Sequence, residues 1–204
     1  MILNQFEEWS VIGKSAFSNI TFGEFEATNI SFIHSNAFGK AASTIKNFTS
    51  HGHLGSSPPD YDIWKVFKSL TNLEVINFET NIGKIPTKAF GSKKLSEMYI
   101  STTHNWRHSI TMRRNAFYNL ENWKVIILHT DIHTIEIEGF TLARNSSQRL
   151  EIQFISSNIR TIKPRVFDSI NRSVSVYMYA EFNFIPEIAF KSFLDDKNYL
   201  SYAK

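Results

Sequence analysis

The histidines and carboxylates of this chain are the residues whose types and spacing could bind a metal. The chain has 204 residues, with 7 His, 19 Asp plus Glu and no Cys. Ligand-like spacings occur in His51-x-His53, His104-x3-His108 and His129-x3-His133. A structural zinc site, however, needs about four ligands held together. Carboxylates do not converge with these pairs in the sequence pattern, so we predict exposed histidines, with no metal and no cofactor.

Motifs for nucleophilic or phosphate chemistry are missing. The sequence contains no G-x-S-x-G elbow, no P-loop and no G-x-G-x-x-G, and its 8 glycines are scattered. Without cysteine, the chain cannot have thiol nucleophiles, iron–sulfur sites, zinc ribbons or a disulfide scaffold. We therefore predict that this chain is not an enzyme.

Length and composition limit the classes of protein to which the chain could belong. With 42% hydrophobic residues and 18 Phe, the chain can bury a sizeable core, and we predict a single domain over residues 1–204. No segment approaches the ~18 apolar residues of a membrane span. The formal charge is +3 with dispersed basic residues, which argues against a nucleic-acid partner. The first residues lack the basic and apolar regions of a signal peptide.

A repeat supplies the elements that would position side chains. Eight phenylalanines recur at intervals of 21 to 29 residues: Phe17, Phe38, Phe67, Phe90, Phe117, Phe140, Phe167 and Phe190. Large apolar residues lie eight and five positions before six of the eight, as in Ile82/Ile85 before Phe90. Chance would give about one such match.

Short alternating apolar segments precede these isoleucine pairs and predict strands. Examples are Leu73-x-x-Ile76-x-Phe78 and Trp123-x-x-Ile126-x-Leu128. Each unit is then a strand plus a return segment, which cannot bury its apolar side alone. Neighbouring units must therefore stack to form a continuous core.

The pattern resembles a leucine-rich repeat in which Ile and Phe replace much of the Leu, with about seven or eight repeats over roughly residues 9–193 and an irregular loop near 51–61. The phrase I-x-x-I-x-x-x-A-F at 82–90 resembles arthropod extracellular proteins of the type of the non-catalytic subunit of Oplophorus luciferin 2-monooxygenase. The resemblance implies an α/β repeat solenoid. It would be a horseshoe with a curved parallel β-sheet on the concave face and irregular or short helical return segments on the convex face, and it would bind partners without catalysing a reaction.

Outward-facing strand positions predict a binding surface for a protein partner on the concave face. The candidates are Asn77, Glu79, Tyr99, Val125, Ile127, His129, Gln153, Ile155, Tyr177 and Tyr179. A solvated sheet face is usually polar, so apolar and aromatic residues there indicate a contact patch. The alternative, that such residues simply favour strands, stays open.

A lengthened connection after Ile100 carries a second candidate contact, Trp106 with Arg107. The alternative is that Trp106 folds back over the core.

Five N-x-S/T sequons, at Asn19, Asn29, Asn47, Asn145 and Asn171, favour a secreted, extracellular glycoprotein. We predict a non-catalytic protein-binding domain, with a non-catalytic enzyme subunit as its narrower form. An adhesion or recognition module for a glycan or microbial surface is the alternative.

Overall fold

A computed structural model describes residues 1–3, 10–52, 54, 59–79, 82–101, 109–142, 148–168, 170, 172–182, 185–186, 189–190 and 199–202. In chain order the strands are β1 (Ile2–Leu3), β2 (Ser10–Ile12), β3 (Glu24–Thr28), β4 (Ile30–Ile33), β5 (Asn47–His51), β6 (Val75–Glu79), β7 (Lys84–Ile85), β8 (Glu97–Ser101), β9 (Ile110–Met112), β10 (Val125–His129), β11 (Ile132–Ile135), β12 (Leu150–Ile162), β13 (Val174–Phe182) and β14 (Tyr199–Tyr202). The described residues also contain one α-helix, α1 (Ile63–Ser69), and two 3-10 helices, Gly39–Ser43 and Pro59–Tyr61.

These strands form a parallel β-solenoid of about six turns. The first series, here called the front ladder, runs in the order β1-β3-β5-β6-β8-β10-β12-β13-β14, and every pairing in it is parallel. Alternate residues point inward and are buried, such as Ile126 and Leu128 in β10. The alternating apolar segments therefore predicted strands such as β6 and β10 correctly, because a period of two gives one buried face.

The return segments differ from the expected irregular or helical form. They begin with short strands that pair in a second parallel series, here called the return ladder: β7-β9-β11 with the second half of β12, and separately β2-β4. Helical return structure in the described ranges comprises α1, the two 3-10 helices and a 3-10 segment at 189–190.

A register irregularity explains why the isoleucine pair of β11 did not predict a strand. Residues three apart point to opposite faces of a regular strand, yet Ile132 and Ile135 are both fully buried in β11. The register between β11 and β9 shifts between Ile132 and Thr134, which returns both side chains to the core.

After the return ladder the chain turns through left-handed backbone at equivalent positions of successive units. Lys88, Asn115, Glu138 and Arg165 have φ of 51°, 54°, 55° and 60°. Each of the first three donates its N–H to the carbonyl of the next residue in this series, at 3.0–3.1 Å. The ladder hydrogen bonds thus continue through the turn, and they offset the roughly 1 kcal/mol cost of a left-handed non-glycine residue.

The unit between Phe38 and Phe67 departs from the others. His51, expected in an irregular loop, ends strand β5, and α1 stands where other units have a return strand. Asp62 caps this helix by accepting a hydrogen bond from the Trp64 N–H at 3.0 Å. The helix buries Ile63, Trp64, Val66 and Phe67 in the common core.

The closing phenylalanines stack through the interior of the solenoid. Ring centroids lie 6.0 Å apart for Phe90–Phe117, 5.5 Å for Phe117–Phe140 and 5.4 Å for Phe140–Phe167. The column continues to Phe190, while Phe25 and Phe48 link Phe38 to Phe67 across the irregular unit. The repeat period predicted from sequence is therefore the period of this column.

Replacing Phe117 by Ala should lower the free energy of unfolding by about 3–5 kcal/mol, because the ring is fully buried and contacts Phe90, Phe140 and Trp123. Chemical denaturation measures this loss. Tyr118→Ala is the matched control, since that ring is 37% exposed, and its cost should be about 1 kcal/mol or less. Equal losses in the two variants would contradict a column that carries the core.

Candidate interaction face

The outward residues of the front ladder form one surface, here called the front face. It comprises Glu24, Glu26, Thr28, Asn47, Thr49, His51, Val75, Asn77, Glu79, Glu97, Tyr99, Ser101, Val125, Ile127, His129, Glu151, Gln153, Ile155, Ser175, Tyr177 and Tyr179. All except Ser175 are at least partly exposed. All ten strand residues predicted as a binding surface lie on this face.

Parallel register aligns half of those ten residues in a single row. Asn77, Tyr99, Ile127, Gln153 and Tyr177 are successive register partners from β6 to β13. Since neighbouring strands are about 4.8 Å apart, side chains in such a row are in contact range of one another.

An apolar patch occupies the β8–β13 part of the front face. It consists of Tyr99, Val125, Ile127, Ile155, Tyr177 and Tyr179, here called the tyrosine–isoleucine patch. Tyr179 is 48% exposed and the other five are half-buried. Six apolar or aromatic residues on one side of four adjacent strands are unusual for a sheet face in water.

Two glutamates border this patch. Val125 has Glu97 as its register partner on β8 and Glu151 on β12, so a carboxylate stands on each side of an apolar residue. The Tyr99 hydroxyl donates to Glu97 Oε2 at 3.0 Å, and the Gln153 amide donates to Glu151 Oε1. Both donors are neutral, so they orient the carboxylates without cancelling their charge.

Tyr99 is held in its protonated form by this arrangement. Burial is the largest cause raising the pKa of Tyr99 above its ordinary value of 10.0, followed by its hydrogen bond to Glu97 and the negative charge of that carboxylate. The phenol therefore keeps its proton, and donates its hydrogen bond, to a higher pH than an ordinary tyrosine does.

The β3–β6 part of the front face is more polar and internally paired. His51 Nδ1 lies 2.7 Å from Glu79 Oε2, and His51 Nε2 lies 3.4 Å from Glu26 Oε1. Asn47 donates its amide to Glu24 Oε1 at 3.1 Å. The carboxylates here have partners within the face itself.

The front face is more acidic than the chain as a whole. Its strand positions include Glu24, Glu26, Glu79, Glu97 and Glu151 but no Lys or Arg, whereas the whole chain is +3. Basic residues are frequent on the return side, where ion pairs join consecutive units: Arg113 to Glu136 at 2.5 Å and Arg114 to Glu138 at 2.8 Å.

The described residues contain no group of three or more His, Asp or Glu that could hold a metal ion. Within the same part of the chain, no helix is long and apolar enough to span a membrane. The loop contact Trp106/Arg107 and the sequons at Asn145 and Asn171 lie outside the described residues. Among the other sequons, Asn19 and Asn29 are exposed, while Asn47 is half-buried in β5.

Comparison with protein families identifies the repeat. The model described as "BspA type Leucine rich repeat region" matches in six copies, over residues 3–107 and 65–195. The chain belongs to the BspA-type leucine-rich-repeat family. Comparison with curated proteins gives no match. The predicted leucine-rich repeat is confirmed, while the resemblance to the arthropod luciferase-subunit group is not supported by any relative.

The sequence did not single out every polar feature of this BspA-type chain. Glu79 was predicted to lie on the face, but Glu151, His51 and Glu26 were not. His51 and Glu26 lie in β5 and β3, whose units have no clear alternating signal.

Arg172 was also missed. It is 8% exposed, and its Nη1 donates to the Trp123 carbonyl at 2.6 Å, while Nε and Nη2 have no hydrogen-bond partner among the described residues. Burial lowers the pKa of Arg172.

The BspA-type chain should lose stability in alkali partly through Tyr99. A raised pKa means that the folded state holds the phenolic proton more tightly than the unfolded state, so this contribution is present below pH 10.0 and is lost as pH rises through the folded pKa. Tyr99→Phe should therefore flatten the alkaline fall in the free energy of unfolding.

Glu97→Gln should bring the Tyr99 pKa down toward its ordinary value, because both the charge and the carboxylate acceptor are removed. Phenolate absorbance during a pH titration, with Tyr99→Phe subtracted, isolates this group. An unchanged Tyr99 titration in Glu97→Gln would contradict the assigned contact.

Proposed function

We propose that this BspA-type repeat domain is a non-catalytic protein-binding module and that its binding surface is the tyrosine–isoleucine patch on the front face. Leucine-rich repeats are protein-interaction folds as a class. The observation that carries the proposal is the position of six apolar or aromatic residues, in register, on the water-facing side of β8, β10, β12 and β13. Exposed apolar patches of this kind are typical of interfaces.

The return side carries a smaller apolar patch among the described residues. Val11 is 54% exposed and is the register partner of the half-buried Phe32 in β2 and β4. Elsewhere on this side, Tyr118 and Ile137 are 37% and 40% exposed. Lys88 Nζ lies 5.1 Å from the centroid of the Tyr118 ring, so that ring is used as a cation–π acceptor within the chain.

Replacing both Ile127 and Tyr177 by Asp should abolish partner capture in a pull-down from the native source. Each substitution introduces a charge at the centre of an apolar contact, where truncations commonly weaken binding by tenfold or more at roughly 2 kcal/mol each. Both side chains point outward, so the circular dichroism spectrum should be unchanged.

Ile137→Asp with Tyr118→Asp is the matched control, since it makes the same two replacements on the return side. Capture should be retained in this control. If the front-face variant still captures its partner, or if both variants lose it equally, the front face is not the binding surface.

A narrower form of the proposal is a non-catalytic subunit that accompanies an enzyme, as the arthropod resemblance implies. It requires a stoichiometric enzyme to co-purify with the chain. If the chain purifies from the native source alone and monodisperse, the enzyme-subunit proposal is wrong. A glycan array tests the alternative of glycan recognition, and binding there that needs Tyr177 would replace the protein partner.

We also propose that the domain is an extracellular glycoprotein, supported by the sequon at Asn19, which is exposed in a turn. When the chain is passed through a eukaryotic secretory pathway, it should carry a glycan there, and Asn19→Gln should reduce its mass by one glycan. Peptide mass spectrometry reads this directly, and an unmodified Asn19 peptide would count against the proposal.

A further inference from the structure

The carboxylates beside the tyrosine–isoleucine patch restrict what can bind it. Glu97 and Glu151 lie in one row with Val125 between them, two strand spacings apart. At about 4.8 Å per strand, their α-carbons are about 10 Å apart. Neither forms an ion pair with a cation among the described residues; each accepts a hydrogen bond from a neutral donor on its own strand.

A partner that covers the patch must remove water from these two charges. Burying an unpaired carboxylate is costly, whereas a cation brought by the partner offsets that cost. An acidic or neutral partner would leave both charges unpaired at the interface. The partner should therefore carry two cationic side chains with an apolar side chain between them.

The spacing also favours one backbone conformation for that partner. In an α-helix, residues seven apart are separated by about 10.5 Å along the axis, and the residue three or four positions on lies at about 5 Å. These distances match the Glu97–Val125–Glu151 row. Side chains on one face of an extended strand are about 6.8 Å apart and do not match it.

We propose that the front face binds an amphipathic, cationic α-helix of a partner protein, lying across β8, β10 and β12. Lys or Arg at helix positions i and i+7 meets Glu97 and Glu151, and an apolar residue at i+3 or i+4 meets Val125 and Ile127. This inference rests on the proposed protein-binding function and adds the chemistry and conformation of the ligand.

The net charge of the chain makes this preference distinctive. A +3 protein attracts anionic ligands by its overall charge. Selection of cationic ligands must therefore come from the local charge of the front face, and it should weaken with salt because opposite charges attract across the interface.

The test is selection of peptides from a phage-displayed library of random linear sequences of about 16 residues, long enough to place residues i and i+7 on one helix face. Immobilised wild-type chain is the target. Selected peptides are synthesised, and their Kd is measured by fluorescence anisotropy for wild type, for Glu97→Gln/Glu151→Gln, and for the control Glu121→Gln/Glu138→Gln. The control removes two carboxylates that pair with Lys93 and Arg114 away from the front face.

The expected result is enrichment of Lys or Arg seven residues apart with an apolar residue between them. Kd should rise roughly tenfold in Glu97→Gln/Glu151→Gln, as for the loss of two partly exposed ion pairs, and should stay unchanged in the control. Helical circular dichroism should increase when the selected peptides bind.

Other outcomes overturn the inference in distinguishable ways. Peptides that need Ile127 and Tyr177 but are acidic, neutral or insensitive to Glu97→Gln/Glu151→Gln overturn the cationic helix and leave the binding function in place. Self-association of the chain that Ile127→Asp abolishes, seen by analytical ultracentrifugation, makes a second copy the occupant and also overturns it. If no selected peptide depends on Ile127 or Tyr177, the proposed binding surface fails together with the inference.

Discussion

The backbone hydrogen bonds between consecutive turns are the constraint on which this solenoid depends. A buried N–H or carbonyl must be paired, and in a parallel stack its partner is the same position of the next turn. Each turn must then repeat the path of the one before it. The left-handed residues show how strict this is: Lys88, Asn115, Glu138 and Arg165 all adopt φ near 55° although none is glycine. For Lys88, Glu138 and Arg165 the ladder specifies the conformation against the preference of the residue type.

Because the backbone path repeats, equivalent positions of successive turns lie next to each other. The consequences differ between the buried core and the exposed surface. Inside, identical apolar residues gain from contact, as the stacked ring pair Phe117 and Phe140 shows. Outside, identical charges about 4.8 Å apart would repel. The return side alternates charge along the stack, with Arg113 beside Glu136. Burial alone would raise the pKa of Glu136. The hydrogen bonds from the Arg114 N–H and the Arg113 side chain, together with the positive charges of Arg113 and Lys163, lower this pKa overall.

Sequence predicts most of the front ladder and little of the return ladder for a physical reason. Period-two alternation over five residues, as around Ile126 and Leu128, is a direct record of one buried face. Return strands have two to four residues, and a register irregularity breaks the period of β11, so Ile132 and Ile135 lack that record. The sequence did not predict α1, because among the described units this one differs from the rest in having an α-helix where they have a return strand.

The same reasoning separates what could be predicted of the candidate face. Outward direction follows from alternation, so Tyr99, Ile127 and Tyr177 were placed on one surface from sequence. The sequence could not predict that these three residues align in one row, because the register between strands depends on loop lengths, which differ from unit to unit. The pairing of His51 with Glu26 and Glu79 joins residues 25 and 28 positions away and has no local sequence signal.

Specificity in such a fold must come from where the repeat is broken. The ladder and the phenylalanine column constrain inward positions to buried and mostly apolar residues, although their size varies between turns, as from Ala27 to Phe78. Outward positions carry no such constraint, and on the front face they pass from the paired polar cluster around His51 to the Tyr99–Ile127–Tyr177 row. Val125, placed between two glutamates, spaces like charges apart within the row and leaves an apolar contact between them. Val125 therefore has two effects: it reduces the repulsion between the two glutamates in the free chain, and it gives the face its alternation of charged and apolar surface.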